Sequence, residues 1–192
     1  MFTKQEMKQN LAGSLEIMIF MRRGIERFKN VSRADAIKSF IIPVAFLPLV
    51  FTILILTSKE GHSIPFLLSV HFSRMVIGAL IYLAIVYFLS KQLERQEHFC
   101  KFLVIINWTS FFDVILVSPI IFYVLTGGNP EDVEVFAVFM TLLGYVYLAF
   151  ILTHTFRVPW EMGGFVAIIG LAVDQTMWDM IAFLDLTVIH GT

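Results

Sequence analysis

Five apolar stretches, at about residues 38–57, 65–90, 101–126, 134–156 and 163–189, take up most of this 192-residue chain. As helices rising about 1.5 Å per residue, each is long enough to cross a hydrocarbon core about 30 Å thick. A segment in lipid has no water to satisfy its backbone, so it pairs its own N–H and C=O groups as a helix. The expected fold class is all-α: an integral membrane bundle of five transmembrane helices with an N-terminal amphipathic interfacial helix. The chain divides into a cytoplasmic, amphipathic and basic segment at 1–37 and a transmembrane domain at 38–192.

Composition narrows function further. Hydrophobic residues make up 58% of the chain and charged residues 15%, which leaves the N-terminal segment as the longest non-membrane part, too short for a soluble catalytic domain. No basic patch with interleaved aromatics points to nucleic acid. The lone Cys100 excludes an internal disulfide or a two-cysteine metal motif. No histidine pair has metal-ligand spacing, and His98 sits beside Glu94 and Glu97 in a charged loop. The expectation is a protein that is not an enzyme and carries no metal or cofactor.

Lysine and arginine set the orientation, because cytoplasmic loops collect them near span ends. Lys4, Lys8, Arg22, Arg23, Arg27, Lys29, Arg33 and Lys38 precede the first span, and Lys91, Arg95, Lys101 and Arg157 fall in the second-to-third and fourth-to-fifth connections. The opposite side has only Lys59, and the 127–134 loop there is acidic and turn-forming. The bias predicts a cytoplasmic N-terminus and an outside C-terminus.

Within the N-terminal segment, Met7, Leu11, Leu15, Met18, Ile25 and Phe28 recur at helical spacing among basic residues. Arg22, Arg23, Arg27 and Lys29 are the candidate interfacial basic residues, suited to anionic headgroups of the lipid bilayer, while packing under the bundle is the alternative. Ser32 and Asp35 form a capping-box pattern that starts a helix leading straight into the first span. Pro43 and Pro48 are expected to kink that span and Pro119 the third.

The most informative residues are the polar ones inside spans: Arg74, Asn107, Asp113, Asp174, Gln175 and Asp179. Charge at such depth marks pairing or function. Counted from the outer span ends, Arg74 and Asp179 lie at matching depths of roughly 14 and 15 Å, which makes an Arg74–Asp179 ion pair the first expectation. Asp113 and Asp174 fall near the bilayer middle, where two carboxylates resist ionising together. They suit hydrogen-bonded glue between helices, a proton or ion pathway, or contact with a partner's span. Trp178, one turn after Asp174, can donate its indole hydrogen to that carboxylate, and Trp108, Trp160, Tyr87 and Tyr123 suit anchoring at span ends. Small residues predict close helix contacts: Gly78 with Tyr82, Gly144 with Ala149, and the run Gly163, Gly164, Ala167, Gly170.

Five spans after a cytoplasmic hydrophilic segment, a basic loop before the third span, and Asn107-Trp108 within it resemble the Yip (Ypt/Rab-interacting protein) family, over roughly residues 36–189. The chain is more similar to the bacterial members, which implies a membrane of the bacterial inner (plasma) type. Eukaryotic members act in vesicle trafficking and bind small GTPases through a long acidic and aromatic N-terminal segment, which this chain lacks. The resemblance implies a non-enzymatic scaffold or accessory subunit of a membrane complex, in membrane organisation or trafficking, with a protein partner or a second copy. The alternative is a small transporter or proton-conducting protein using the intramembrane carboxylates.

Overall fold

A computed structural model of the protein describes residues 2–57 and 63–190, with side chains described except at 56, 57, 113, 130 and 182–190. Among the described residues there is no strand. The chain forms α1 (Lys4–Met18), α2 (Arg22–Arg27), α3 (Arg33–Ser39), α4 (Ile41–Thr57), α5 (Ile64–Gln92), α6 (Phe99–Leu125), α7 (Glu134–Phe156) and α8 (Trp160–His190), with 3₁₀ turns before α6 and α7. Five of these helical segments are long and apolar enough to cross a membrane, the first of them running from Arg33 through α3 and α4 to Ile55.

Local sequence explains the starts and breaks. Thr3 with Glu6 and Ser32 with Asp35 form capping boxes at α1 and α3, the second as the sequence predicts. One residue, Phe40, separates α3 from α4, so the N-terminal segment is coupled tightly to the first long helix. Pro43 stands in the first turn of α4 and Pro48 inside it. Pro119 lies within α6 and has no N–H for the Ile115 carbonyl, which instead accepts a hydrogen bond from the Ser118 hydroxyl at 2.7 Å.

The long helices are ordered α5, α8, α7, α6, α4 by their contacts, and α4 touches α5 only lightly. The closest crossing is α7 against α8, where a Cβ on Gly163 would lie 2.8 Å from the Ala149 carbonyl oxygen. Gly170 faces the Tyr82 ring of α5, with a Cβ there 2.9 Å from it. Gly78 meets Met177 of α8 and Ala149 meets Gly163, whereas Gly144 and Gly164 face open space, so the small residues bring helices close at some of the expected positions and not at Gly144 or Gly164.

The core lies at the basic end of the bundle. Phe102, Ile105 and Trp108 of α6, Ile151 and Phe156 of α7, and Val166 of α8 are buried there together with Ile17, Ile25 and Phe28 from the N-terminal helices. The N-terminal segment therefore packs against the bundle through one face. α1 and α2 form a hairpin whose backbones touch, since a Cβ on Gly24 would come 2.8 Å from the Ile17 nitrogen. Its turn places Phe20 at φ 56°, stacked on Tyr147 at 4.7 Å between ring centroids. Of the predicted apolar face, Ile25 and Phe28 point inward, while Met7 and Leu15 are exposed along with Ile19 and Met21.

Candidate functional site: the intramembrane polar cluster and the basic end

Helices α5 and α8 build the polar cluster. The Arg74 guanidinium donates to the Asp174 carboxylate at 2.9 Å and lies 4.0 Å above the centroid of the Trp178 ring. The expected Arg74–Asp179 pair is thus corrected: the partner is Asp174. Matching depth does not select the partner; the phase of the helix does. Five residues place Asp179 about 140° around the helix from Asp174, on another face. There Asp179 accepts a hydrogen bond from the Gln175 amide at 3.1 Å. Trp178, one turn beyond Asp174, shares its face and offers its ring to Arg74, in place of the expected indole hydrogen bond to the carboxylate.

Other groups complete the surroundings. His71 of α5 meets the Trp178 ring edge-on at 5.3 Å. Tyr145 of α7 lies within electrostatic reach of both Asp174 and Arg74. The Arg74 Nε and the Tyr82 hydroxyl are buried without a hydrogen-bond partner among the described residues. The Arg74 side chain is 15% exposed, whereas that of Asp174 is 50% exposed. Asp174, Gln175, Thr176, Trp178 and Asp179 are all exposed, a polar band that wraps more than half of the way round α8 at one level.

Asn107 belongs elsewhere. Its amide donates to the Ser39 hydroxyl at 2.8 Å, and that hydroxyl donates to the Ala36 carbonyl at 2.7 Å, so the buried group ties α6 to the end of α3. Neighbouring Trp108 is 3% exposed and meets Phe2 edge-on at 5.1 Å, which makes it a core residue and corrects its expected place as a span-end anchor. Trp160 and Tyr87 are exposed. Asp113 lies on α6 with its side chain outside the described residues, and Lys59 lies outside the described residues altogether. α6 packs on α7 and α4, whereas α8 packs on α7 and α5, so α7 stands between the helices of Asp113 and Asp174.

At the basic end, tertiary contacts give several cations a carboxylate. Arg27 grips Glu16 through two hydrogen bonds, the Nε one at 2.6 Å, and closes the α1–α2 hairpin. Lys38 reaches Glu6 at 3.2 Å. Arg22 pairs with Glu26 one turn along α2 at 3.5 Å, both well exposed. The Arg27 guanidinium holds the Glu16 carboxyl below its ordinary pKa, and Thr3 with Lys38 does so for Glu6. Arg23 and Lys29 are exposed and make no ion pair among the described residues.

The sequence offered no signal for Ser39 as the partner of Asn107 or for Glu16 and Glu6 as partners of Arg27 and Lys38. Trp178 beside Asp174 was visible in the one-turn spacing. Among the described residues no three metal-ligating side chains converge. Five helices fit to cross a membrane, a buried core at one end and an ion pair between two long helices are features of a multi-pass α-helical membrane protein. Comparison with family models, curated proteins and solved structures finds no match.

Proposed function

We propose that this chain is a non-enzymatic subunit or scaffold of a membrane complex, Yip-like in its organisation, set in a bacterial inner membrane with its N-terminus in the cytoplasm. The carrying observation is the exposed polar band of α8, Asp174 to Asp179, which presents polar groups on more than one face at one level. A carboxylate and an amide facing lipid are costly, and a neighbouring span that supplies donors removes the cost. Two copies meeting symmetrically along this band would bring carboxylates together, so a partner span bearing a cation or an amide fits better. The exposed Met7, Leu15, Ile19 and Met21 edge of the N-terminal hairpin supports an interfacial position for that segment, with its buried face against the bundle.

A photo-crosslinker placed at Thr176 or Asp179 in the full chain, expressed in its own membrane, tests the reading. The expected result is a discrete, stoichiometric protein adduct, absent when the label sits at the exposed apolar Phe165 or Ile168. Adducts to lipid alone, joined by pH-dependent flux through the purified protein in vesicles that Asp174→Asn abolishes, would replace the subunit reading with a proton-conducting one.

A further inference from the structure

Lys29, Lys101 and Arg157 come from segments far apart in sequence: the link after α2, the first turn of α6 and the cap of α7. The fold gathers them. Phe102 and Phe156, their immediate neighbours, are buried and face each other at 5.5 Å between ring centroids. Phe28, beside Lys29, is buried in the same core. Lys101 is partly buried and lies within electrostatic reach of Arg157, Lys29 and Glu26. His98 and Arg95 approach the same group, with Glu97 held 3.4 Å from His98.

The charges here are treated differently from those nearby. Arg27, Lys38 and Arg22 each have a carboxylate, and of the acids near this group Glu26 is already beside Arg22 and Glu97 beside His98. Among the described residues Lys29, Lys101 and Arg157 have no ion-pair partner. Arg157 is further held in the left-handed region at φ 54°, where it ends α7 and turns the chain toward α8. Three cations gathered by tertiary packing repel one another unless an anion lies between them. Lys101 and Arg157 sit where long helices begin and end, beside the exposed Trp160, at the level expected of headgroups.

We infer that Lys29, Lys101 and Arg157 form a binding site for the phosphate of an anionic phospholipid. The lipid phosphate supplies the charge that the protein lacks here, and its acyl chains run beside the exposed apolar surface of the bundle. The site is separate from the α8 band and does not depend on any partner there.

Titration of the full-length protein in neutral detergent with phosphatidylglycerol, phosphatidylcholine and inorganic phosphate tests this. Phosphatidylglycerol is expected to bind saturably and more tightly than phosphatidylcholine. Lys101→Gln weakens it about fivefold, and Lys101→Gln with Arg157→Gln roughly 25-fold, while Lys101→Arg keeps most of the affinity. Arg22→Gln with Arg23→Gln, exposed on α2 and outside the gathered group, changes it less than about twofold, because solvent and salt screen charges that do not touch the phosphate. Equal binding of both lipids would overturn the proposal, as would an equal loss in the Arg22 and Arg23 variant, which denotes a diffuse basic surface. Inorganic phosphate binding as tightly as the lipid would reassign the site to a free anion.

Discussion

The two halves of the bundle are built on different solvents. At the basic end Phe102 and Ile105 are completely buried and Ile151 is 2% exposed, sealed by an N-terminal hairpin that also contributes Ile17 and Phe28. In the other half Phe122 is 70% exposed, Val135 86% and Leu142 53%, and the principal charged contact is Arg74 with Asp174. The first half resembles the interior of a water-soluble protein, complete within this chain. The second leaves its apolar surface and the polar groups of α8 exposed, so its stability depends on what surrounds it.

The largest test of this contrast truncates one aromatic in each half. Phe102→Ala should lower unfolding free energy in detergent by about 3–5 kcal/mol, through lost burial and a cavity. Phe122→Ala should change it by less than about 0.5 kcal/mol, as for an exposed site. Equal costs in a thermal melt would erase the distinction.

Glycine substitutions sharpen it. Gly24→Ala and Gly163→Ala force apart backbones already in contact and should each cost about 1–3 kcal/mol. Gly144→Ala, pointing into open space, should be neutral or slightly stabilising. Melting of the three variants side by side checks the ordering.

In the far half, Arg74→Ala leaves Asp174 without its partner. A fully buried pair would lose more, but the half-exposed carboxylate reduces the expected cost to about 1–2 kcal/mol. Asp174→Asn, which keeps an acceptor for Arg74, should cost less. The gap between the two variants, measured by denaturation in the same detergent, should narrow if a partner span is present to supply a second donor.

The smallest effect is at the hairpin. Glu16 has a lowered pKa in the folded chain, so its pairing with Arg27 stabilises above the ordinary carboxylate value and is lost as pH falls through the folded value. Limited proteolysis at 16–30 should therefore quicken in acid below about pH 4. Glu16→Gln should remove that acid step and leave the basic-end core in place.

Much of the fold was legible because it is local. Apolar length announces α4 to α8, and Ser32 with Asp35 announces the start of α3. The N-terminal hairpin was less legible: its buried line of Gly13, Ser14 and Ile17 does not follow the Met7–Leu11–Leu15 spacing, because the close approach of Gly24 rotates α1 toward α2. Asn107 and Arg74 stood out by being polar in apolar company. Their partners did not, since Ser39 is an ordinary serine at a helix end and Asp174 and Asp179 differ only in helical phase.

The sequence by itself determined the number and length of the long helices, the helix caps and the separation of charge between the two ends, because each follows from residues a turn or a span apart. Tertiary structure alone decided that Arg74 takes Asp174, that Trp108 is core, and that Lys29, Lys101 and Arg157 stand together. Hydrophobic length sets how far a helix reaches but leaves its rotation free, and that rotation is settled where Gly163 meets Ala149 and Gly170 meets Tyr82.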